Sequence, residues 1–421
     1  MKHQKQCKWT VFFLIKSAGS ASIREVIRMI NEIRCTEMLG RLPVILCMNF
    51  FKGDLDAVLE GRESLIAAER SSQKFTTMFF SIVPDNHSQG QFPNKLEIIG
   101  EAPNFDITSP RSIEDFFRHE ILMQYKAKHY LMISWDHGRL FGIFNEGAEG
   151  LVADKKDLAQ EIHHEEGVTI LTMEELNEAI QLAFGKQKVD VMIMMNCFMQ
   201  FIDAGYALRR SVKYLVAPET FIYIDGYNYP FLFQLLINKP NITPRKLAKQ
   251  VVRSFATKVY STFDDGVAHK KNTAIFATDL RYYRLLGELV DRLVDHFMKN
   301  IPQIKLLIDP AREFCTIIQA KKVIDFFGFI SFLHKENIFK ENPLVASTVL
   351  SIRDLIVVES FKGNGFTRQI DDLVNPPSGI SIHLPMALPT DEPNPGFDDF
   401  FKTEFSRKTK WLEFIKAINE E

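Results

Sequence analysis

Residues 189–195, Val-Asp-Val-Met-Ile-Met-Met, are apolar on both faces of the extended strand that they predict, apart from Asp190. A strand with one exposed face alternates apolar and polar side chains, whereas a strand covered on both faces is apolar throughout. Covered strands of this kind are typical of parallel sheets with helices packed on both sides. The run therefore predicts an α/β fold built around a largely parallel sheet.

Further apolar runs alternate along the chain with amphipathic stretches, as an α/β sheet requires. Five more runs predict strands, at 9–15, 44–51, 76–83, 129–135 and 213–217. Apolar residues at helical spacing predict helices at 22–35, 111–126, 173–184, 198–211, 244–259 and 279–299.

The pattern changes in the last third of the chain. There it predicts mainly helices, at 317–333 and 343–355, with short strands at 356–359 and 379–384. We therefore place a domain boundary near 265, between an α/β domain over 1–265 and a mainly helical C-terminal subdomain over 266–421. Residues 144–188 separate two predicted core strands, and their polar first part predicts an exposed linker or insertion.

The composition excludes several classes of protein. The 421 residues are 46% hydrophobic and 25% charged, which excludes a disordered chain or a fibrous repeat. The net charge of −2 provides no basic field for nucleic acid. No apolar run approaches the roughly 18 residues of a membrane-spanning helix. We therefore expect neither nucleic acid nor a membrane as a partner, and the 36 phenylalanines predict an aromatic-rich core.

The cysteines and the N-terminus bear on the compartment. The five cysteines are scattered and include no CxxC pair, so neither a disulfide framework nor a zinc site is expected. Reduced thiols suit a reducing compartment. The N-terminal apolar run Trp9–Ile15 ends at Lys16 and is at the lower limit of a signal peptide. We interpret it as a buried first strand, which leaves the localisation unknown but favours the cytoplasm over secretion.

Two predicted strands are each followed by residues of types that are common in catalytic sites. The strand at 129–135 is followed by Asp136-His137-Gly138, and the strand at 189–195 is followed by Asn196-Cys197. In open parallel sheets, sites lie beyond the carboxyl ends of the strands. If these two strands are neighbours, the imidazole of His137 and the thiol of Cys197 face one cleft.

A thiol and an imidazole in one cleft suit nucleophilic catalysis. A free thiol, with a pKa near about 8.5, is only slightly ionised at neutral pH, and an imidazole favours the thiolate. The N-terminus of a helix predicted directly after Cys197 would do the same. His137 is also a proton donor for a leaving amine, and Gly138 lets the backbone approach a substrate. The alternative is a small buried hydrophobe at Cys197 and a hydrogen-bonded strand end at His137.

Other polar clusters have simpler explanations. His163-His164-Glu165-Glu166 lacks the HExxH spacing, and Asp264-Asp265-Gly266 and Asp398-Asp399 lack EF-hand spacing. No P-loop or GxGxxG is present. We therefore expect no resident metal and no cofactor. Asp136 either orients His137 or holds a loop, since adjacent side chains on a strand point to opposite faces.

Segments along most of the chain, taken in order, resemble the clostripain family of cysteine peptidases. Trp135-Asp-His-Gly138 is similar to the family's histidine motif, and residues 189–199 with Tyr214–Glu219 are similar to its nucleophile segment. Further similar blocks are Trp9–Val11, Gly226–Tyr229, Asn272–Asp279, Pro377–Pro385 and Phe405–Phe414. The resemblance implies a caspase-like fold, in which helices sandwich a largely parallel sheet.

The resemblance also implies roles for individual residues. Cys197 is then the nucleophile and His137 the general acid and base, and peptide bonds are hydrolysed through a thioester. The backbone N–H groups of Gly138 and Cys197 are then the oxyanion donors. Calcium enters only as an ion that some relatives use. Self-cleavage within 144–188 is implied as an activation step, at Lys155, Lys156, Lys186 or Lys188.

One position departs from the family's pattern in a way that affects specificity. Members that cleave after Arg or Lys carry an acidic residue two positions before the nucleophile, where this chain has Met195. Strand alternation puts residues 195 and 197 on one face, so we expect Met195 to border the first specificity pocket. Removing one partner of a buried ion pair costs about 3–5 kcal/mol, so the Arg/Lys preference is predicted to be lost or rebuilt. Glu219 and Asp225 are the candidates to restore a negative charge.

Asn196 also replaces a small residue, and it either disturbs the site or points away from it. These departures support a second interpretation, a weak or inactive relative that binds peptides or serves as a scaffold. A third interpretation is a general α/β binding protein in which Cys197 is merely buried.

Overall fold

The computed structural model describes residues 7–17, 19–68, 75–85, 92–139, 141–144, 170–222, 226–261, 273–315, 317–318, 323–363, 376–385, 400 and 402–420. The predictions that concern Asp225, Lys155, Lys156 and the clusters at 163–166, 264–266 and 398–399 lie outside these residues.

Strands form three sheets within the described residues. Those of the main sheet are β1 (Cys7–Ser17), β2 (Val44–Phe51), β3 (Phe75–Pro84), β4 (Asn94–Glu101), β5 (Ala127–Trp135), β9 (Val189–Met195), β10 (Val212–Pro218), β11 (Ala274–Asp279) and β14 (Val357–Lys362). Two small sheets contain β6 (Gly138–Arg139), β7 (Gly142–Ile143) and β8 (Leu171–Thr172), and β12 (Ile317–Ile318), β13 (Val323–Asp325) and β15 (Ser381–His383).

The main sheet has nine strands in the order β14-β11-β10-β9-β5-β1-β2-β3-β4. Its five central strands, β10 to β2, are parallel to one another. Two antiparallel strands extend the sheet at each edge. The predicted α/β fold with a largely parallel sheet is therefore confirmed.

The described helices are α1 (Ser20–Arg34), α2 (Leu55–Glu60), α3 (Pro110–Phe116), α4 (Met173–Phe184), α5 (Ile202–Leu208), α6 (Tyr229–Asn238), α7 (Pro244–Ser261), α8 (Tyr283–Phe297), α9 (Ile301–Phe314), α10 (Phe326–Lys335), α11 (Pro343–Ile356), α12 (Glu404–Lys408) and α13 (Trp411–Asn419). A π-helical turn over Phe117–Leu122 extends α3. No helix among the described residues is both long enough and apolar enough to cross a lipid bilayer.

The sheet separates two apolar cores, as expected for strands covered on both faces. In β9, Val191, Ile193 and Met195 enter one core, whereas Met192 and Met194 enter the other. The 0–5% exposure of all five side chains explains why this strand is apolar at nearly every position. The predicted aromatic-rich core is present, and it includes four buried phenylalanine doublets, at 12–13, 50–51, 79–80 and 326–327.

The predicted boundary near 265 does not divide the main sheet. Strands β11 and β14 both follow residue 265, and they pair in turn with β10 at the edge of the parallel strands. The C-terminal part therefore completes the sheet of the first part. Its strand β11 pairs through the backbone with β10, which would otherwise be an edge strand.

Two predicted helices are shorter than expected. The run 317–333 begins with strands β12 and β13, and only Phe326–Lys335 is helical, because the Asp325 carboxylate accepts from Gly328 N and starts the helix there. The run 198–211 is helical only from Ile202 to Leu208. Both segments are apolar enough to fit either periodicity, and their tertiary pairing decides between them.

Part of the predicted linker 144–188 is packed structure. Thr172 caps α4 by accepting from Glu175 N, while the Glu175 carboxylate accepts from Thr172 N. Leu176, Ala179 and Ile180 of α4 are fully buried. The described end of this segment is therefore a part of the core. Residues 145–169 lie outside the described residues.

Candidate active site

The two candidate catalytic segments leave the sheet side by side. Strands β5 and β9 are adjacent and parallel, and their last paired residues are Trp135 and Met195. The next residues of each chain, Asp136-His137 and Asn196-Cys197, therefore emerge together at the carboxyl edge of the sheet. The sequence predicted this only on the condition that the strands were neighbours, and that condition is met.

Gly138 brings the two segments into direct contact. A Cβ at residue 138 would lie 2.3 Å from the carbonyl oxygen of Cys197 and 2.9 Å from its backbone nitrogen. Real Cβ atoms do not approach backbone atoms so closely, so only glycine fits at this position. The chain that follows His137 thus lies against the peptide unit of Cys197.

The two candidate catalytic residues differ in exposure. His137 is exposed, whereas Cys197 is half-buried with its Sγ 4.0 Å from the carbonyl oxygen of Ile222. Burial raises the pKa of the Cys197 thiol, and backbone N–H groups of Ile222 and Cys197 offset this rise only in part. The described surroundings therefore favour the neutral thiol, and a base or a cation beside the sulfur would favour its ionisation.

The predicted contribution of a helix N-terminus to the thiolate is wrong. Helix α5 begins at Ile202, and the intervening chain turns at Phe198, which has a φ of 63°. The backbone of this segment instead pairs with the end of β10, with Phe198 N donating to Thr220 O and Gln200 N to Pro218 O. The helix dipole acts only near the first turn of a helix and so does not reach Cys197 from here.

Asn196 points toward the histidine segment rather than away from it. Its side chain is fully buried and accepts a hydrogen bond of 2.5 Å from Ser134 Oγ. Its Nδ2 donates to the backbone carbonyls of Asp136, at 3.0 Å, and His137, at 3.2 Å. The asparagine therefore joins the end of β9 to the histidine segment.

Met195 lies in the core that β9 shares with Trp135, and its side chain is only 5% exposed. It contacts Gly226, where a Cβ would lie 3.0 Å from both Sδ and Cε. Cys197 packs instead against the opposite core. Strand alternation stops where β9 ends at Met195, so it does not by itself put residues 195 and 197 on one face. The Cys197 Sγ nevertheless lies 4.0 Å from Ile222 O, and Ile222 packs against the core of Met195.

Glu219 is not available to a substrate, which corrects its assignment as a pocket residue. It is fully buried, and its Oε2 accepts from Gly379 N at 2.7 Å. Burial, followed by the nearby charge of Asp325, raises the pKa of Glu219 well above its usual range. Its carboxyl group joins the end of β10 to the C-terminal part of the chain.

Tertiary contacts that the sequence did not predict support the nucleophile segment. Ser381 of β15 donates through its backbone N to Gln200 O at 2.9 Å, and Gln200 Nε2 donates to Phe276 O at 2.9 Å. Tyr227, which is buried, donates its hydroxyl proton to Met194 O at 3.2 Å. Single residues of this kind carry no periodic signal, so only the spatial structure identifies them.

Among the described residues, no group of three or more His, Cys, Asp or Glu side chains is arranged to hold a metal ion.

Comparisons with known proteins agree with this fold. The model of the clostripain family, peptidase family C11, matches residues 87–417. A secreted C11 cysteine protease from Bacteroides thetaiotaomicron is 14% identical, with a TM-score of 0.62, and an inactive zymogen of a C11 protease from Parabacteroides distasonis is 13% identical, with a TM-score of 0.61. Each similarity covers 96% of this chain and 99% of the other.

A secreted C11 cysteine protease from Bacteroides thetaiotaomicron in complex with an irreversible peptide inhibitor has the same coverage, 14% identity and a TM-score of 0.60. A search among curated proteins finds no match. At these identities the solved structures establish the caspase-like fold alone, whereas the family model spans more than half of the chain.

Proposed function

The chain belongs to the clostripain family of cysteine peptidases, and from this premise we propose that it hydrolyses peptide bonds with Cys197 as nucleophile and His137 as general acid and base. The observation that carries the proposal is the contact of Gly138 with the Cys197 peptide, where a Cβ would lie 2.3 Å from the carbonyl oxygen. His137 directly precedes Gly138, so this contact supports an imidazole and a thiol at one edge of the sheet.

In the proposed reaction, the imidazole of His137 takes the thiol proton, and the sulfur of Cys197 attacks the carbonyl carbon of the scissile peptide. The imidazolium then gives the proton to the leaving amine as the C–N bond breaks, which leaves a thioester. Water, deprotonated by the same imidazole, attacks the thioester and releases the acid and the free thiol. Positioned proton transfer contributes about 10²–10⁴-fold, and no step needs a cofactor.

The raised pKa of the Cys197 thiol makes the imidazole essential to this proposal. Burial favours the neutral thiol, which is a poor nucleophile. An imidazolium beside the sulfur favours the thiolate, because a nearby opposite charge offsets part of the free-energy cost of burying the charged sulfur. Cys197 is therefore expected to be reactive only with His137 in place.

The proposed oxyanion donors are the backbone N–H groups of Gly138 and Cys197. This assignment is supported by the close approach of the two backbones, because a Cβ at residue 138 would lie 2.9 Å from Cys197 N. Backbone donors held by a sheet edge are preorganised for the charge that develops on the carbonyl oxygen. Loss of one such donor typically costs about 10²–10³-fold in kcat.

The proposed specificity differs from cleavage after Arg or Lys. Met195 occupies the position of the acidic residue in relatives of that specificity, and its thioether is packed against Gly226. Glu219 is fully buried and cannot replace the missing charge at a substrate. A basic side chain would be desolvated without a partner there, so apolar or small side chains are expected at the first position before the cleaved bond.

Labelling with an electrophilic peptide probe tests this function. With a peptidyl acyloxymethyl ketone and mass spectrometry, Cys197 is expected to react at least 100-fold faster than Cys35, which is exposed and provides an internal control. His137→Ala should remove most of this advantage, and Cys35→Ala should leave the labelling of Cys197 unchanged. Equal labelling of both thiols in the native protein would overturn the proposal.

A second candidate function is binding of peptides without turnover. The raised pKa of the Cys197 thiol and the burial of Met195 both favour it. In that case, peptides bind with measurable affinity in fluorescence anisotropy, whereas Cys197 reacts no faster than Cys35. The same two measurements therefore separate the peptidase from the scaffold.

We also propose that self-processing, if it activates the protein, occurs within 144–188. Lys186 is exposed in the connection after α4, but Met195 in place of the acidic residue disfavours cleavage after this lysine. Lys188 is half-buried, and its ammonium group donates to Arg209 O at 2.8 Å, which protects it. Prolonged incubation followed by mass spectrometry should show a cut in this segment that Cys197→Ala abolishes.

A further inference from the structure

The amide of Asn196 lies between the two segments of the proposed catalytic dyad. Pairing of β5 with β9 ends at Trp135 and Met195, so backbone hydrogen bonds of that ladder hold the chains together only up to this point. One residue further, the side chain of Asn196 donates from Nδ2 to Asp136 O at 3.0 Å and to His137 O at 3.2 Å. It thereby extends the connection to the residue that carries the imidazole.

A single orientation of this amide satisfies its neighbours. Ser134 Oγ donates to Oδ1 at 2.5 Å, and both N–H bonds of Nδ2 are directed at carbonyl oxygens. Rotation of the amide by 180° would bring Oδ1 against two carbonyl oxygens and leave them without a donor. Ser134 and Asn196 are both fully buried, which limits competition from water at the amide.

We propose that Asn196 is a positioning residue, which holds the backbone of His137 against Cys197 and so aligns the imidazole with the thiol. The inference rests on the proposed function and goes beyond it, because it assigns a role to a residue that touches neither substrate nor the reacting atoms. The position before the nucleophile, which a small residue would leave without hydrogen-bonding groups, here supplies two donors and an acceptor.

The test is the pH dependence of Cys197 alkylation by iodoacetamide, a small neutral reagent. In the native protein, the imidazole supports the thiolate, so alkylation at pH 6 should be fast. Asn196→Ala should slow it at least tenfold at pH 6 but less than threefold at pH 10, where ionisation of the thiol no longer depends on the imidazole. A loss of packing alone would change the rate at both pH values alike.

A matched control is available at the far edge of the sheet. Asn94 in β4 is also buried, and its Nδ2 also donates to two backbone carbonyls, those of Arg34 and Thr36, each at 2.8 Å. Asn94→Ala loses similar hydrogen bonds at a site four strands away from β5 and should leave the alkylation profile unchanged. Ser134→Ala keeps both amide donors but removes the donor to Oδ1, and it should slow alkylation at pH 6 by about two- to threefold with no change at pH 10.

The outcomes distinguish the proposed function from the positioning role of Asn196. If Cys197 of the native protein is alkylated no faster than Cys35 at pH 6, the proposed function is overturned, and the role of Asn196 with it. If Cys197 of the native protein is alkylated fast at pH 6 and Asn196→Ala leaves the pH dependence of alkylation unchanged, the positioning role alone is overturned. If Asn196→Ala does not fold, Ser134→Ala decides, and its unchanged profile would then count against the inference.

Discussion

Glu219 and Asp325 bind adjacent residues of one loop, although one follows β10 and the other ends β13: Glu219 Oε2 accepts from Gly379 N at 2.7 Å, and Asp325 Oδ2 accepts from Ser378 N at 2.8 Å. Glu219 and Asp325 are both fully buried. Asp325 also accepts from Gly328 N at 2.6 Å. Burial and the nearby charge of Asp325 raise the pKa of the Glu219 carboxyl, so this link between the main sheet and the C-terminal part is sensitive to pH.

The first prediction concerns stability at alkaline pH. Burial, and then the charge of Asp325, raise the pKa of Glu219 above its value in the unfolded chain. The unfolded state therefore releases its proton first, and the stabilisation, complete below a pH of about 4.5, is lost as the pH rises. Glu219→Gln, which keeps a neutral group of the same shape, should reduce the loss of unfolding free energy between pH 5 and pH 8 by about 1 kcal/mol or more.

Urea denaturation of both proteins at the two pH values measures this difference. Glu288→Gln is the control, because Glu288 is exposed and forms an ion pair with Arg284 on the same helix, α8. It should leave the pH dependence unaltered. A native protein that is more stable at pH 8 than at pH 5, with Glu219→Gln following the same trend, would contradict the prediction.

The second prediction concerns the contact between the two catalytic segments. Gly138→Ala adds a methyl group that would lie 2.3 Å from the Cys197 carbonyl oxygen, so one of the two backbones must move. We expect kcat to fall at least 100-fold, the typical cost of one lost oxyanion donor. Gly19→Ala is the control, since its Cβ would meet nothing closer than Ser22 Oγ at 3.8 Å.

Thermal melting accompanies these assays. The change at residue 138 is confined to the sheet edge, so the midpoint should fall far less than the activity. Full activity of Gly138→Ala would show that the chain after His137 is not held against Cys197.

The third prediction concerns specificity. Met195→Asp restores the acidic residue that relatives with Arg/Lys specificity carry, and a desolvated charge pair contributes about 1.5 kcal/mol or more, roughly tenfold. We expect the ratio of kcat/KM for a lysine substrate to that for a methionine substrate to rise at least tenfold. Met195→Leu preserves an apolar side chain of similar volume and should leave the ratio within twofold.

Paired peptides that differ only at the residue before the cleaved bond provide the measurement. If Met195→Asp retains activity with an unchanged ratio, residue 195 does not face the first specificity pocket, and its burial beside Gly226 is then purely structural.

The sequence predicts those features that depend on long apolar runs and fails where a few tertiary contacts decide. The runs at 129–135 and 189–195 identify β5 and β9, and the rule for parallel sheets brings their carboxyl ends together. The faces of residues 195 and 197 could not be predicted, because alternation applies only while the strand continues. The bonds of Asn196 depend on the register of β5 with β9, whose segments lie about 60 residues apart in the chain.

Glu219 shows the same limit for electrostatics. A carboxylate after a strand is usually exposed, and its burial here follows from a loop near Gly379 and a strand ending at Asp325. Neither contact is local, so no pattern around residue 219 indicates it. Strands β11 and β14 show a related limit, since both follow the predicted boundary near 265 and join a sheet that local periodicity does not connect to them.

The last prediction concerns a second link between the two parts of the chain, with the opposite dependence on pH. Arg209, just after α5, forms a bidentate pair with Glu404 of α12, at 2.8 and 3.0 Å. Burial alone would raise the pKa of Glu404, but the hydrogen bonds and charge of Arg209, together with the charges of Arg210 and Arg407, outweigh it and lower that pKa. The stabilisation is therefore complete above the unfolded value, about 4.5, and is lost as the pH falls through the lower folded value.

A double-mutant cycle with Arg209→Ala and Glu404→Ala should give a coupling of about 1–3 kcal/mol at pH 7, since both side chains are at most 14% exposed. The exposed pair of Arg284 with Glu288 on α8 is the matched control and should give at most about 0.5 kcal/mol. Because α5 follows the nucleophile segment, Glu404→Ala should also speed hydrogen exchange around residues 198–208. Equal coupling energies for the two pairs would mean that the Arg209 pair does not hold α12 against the catalytic sheet.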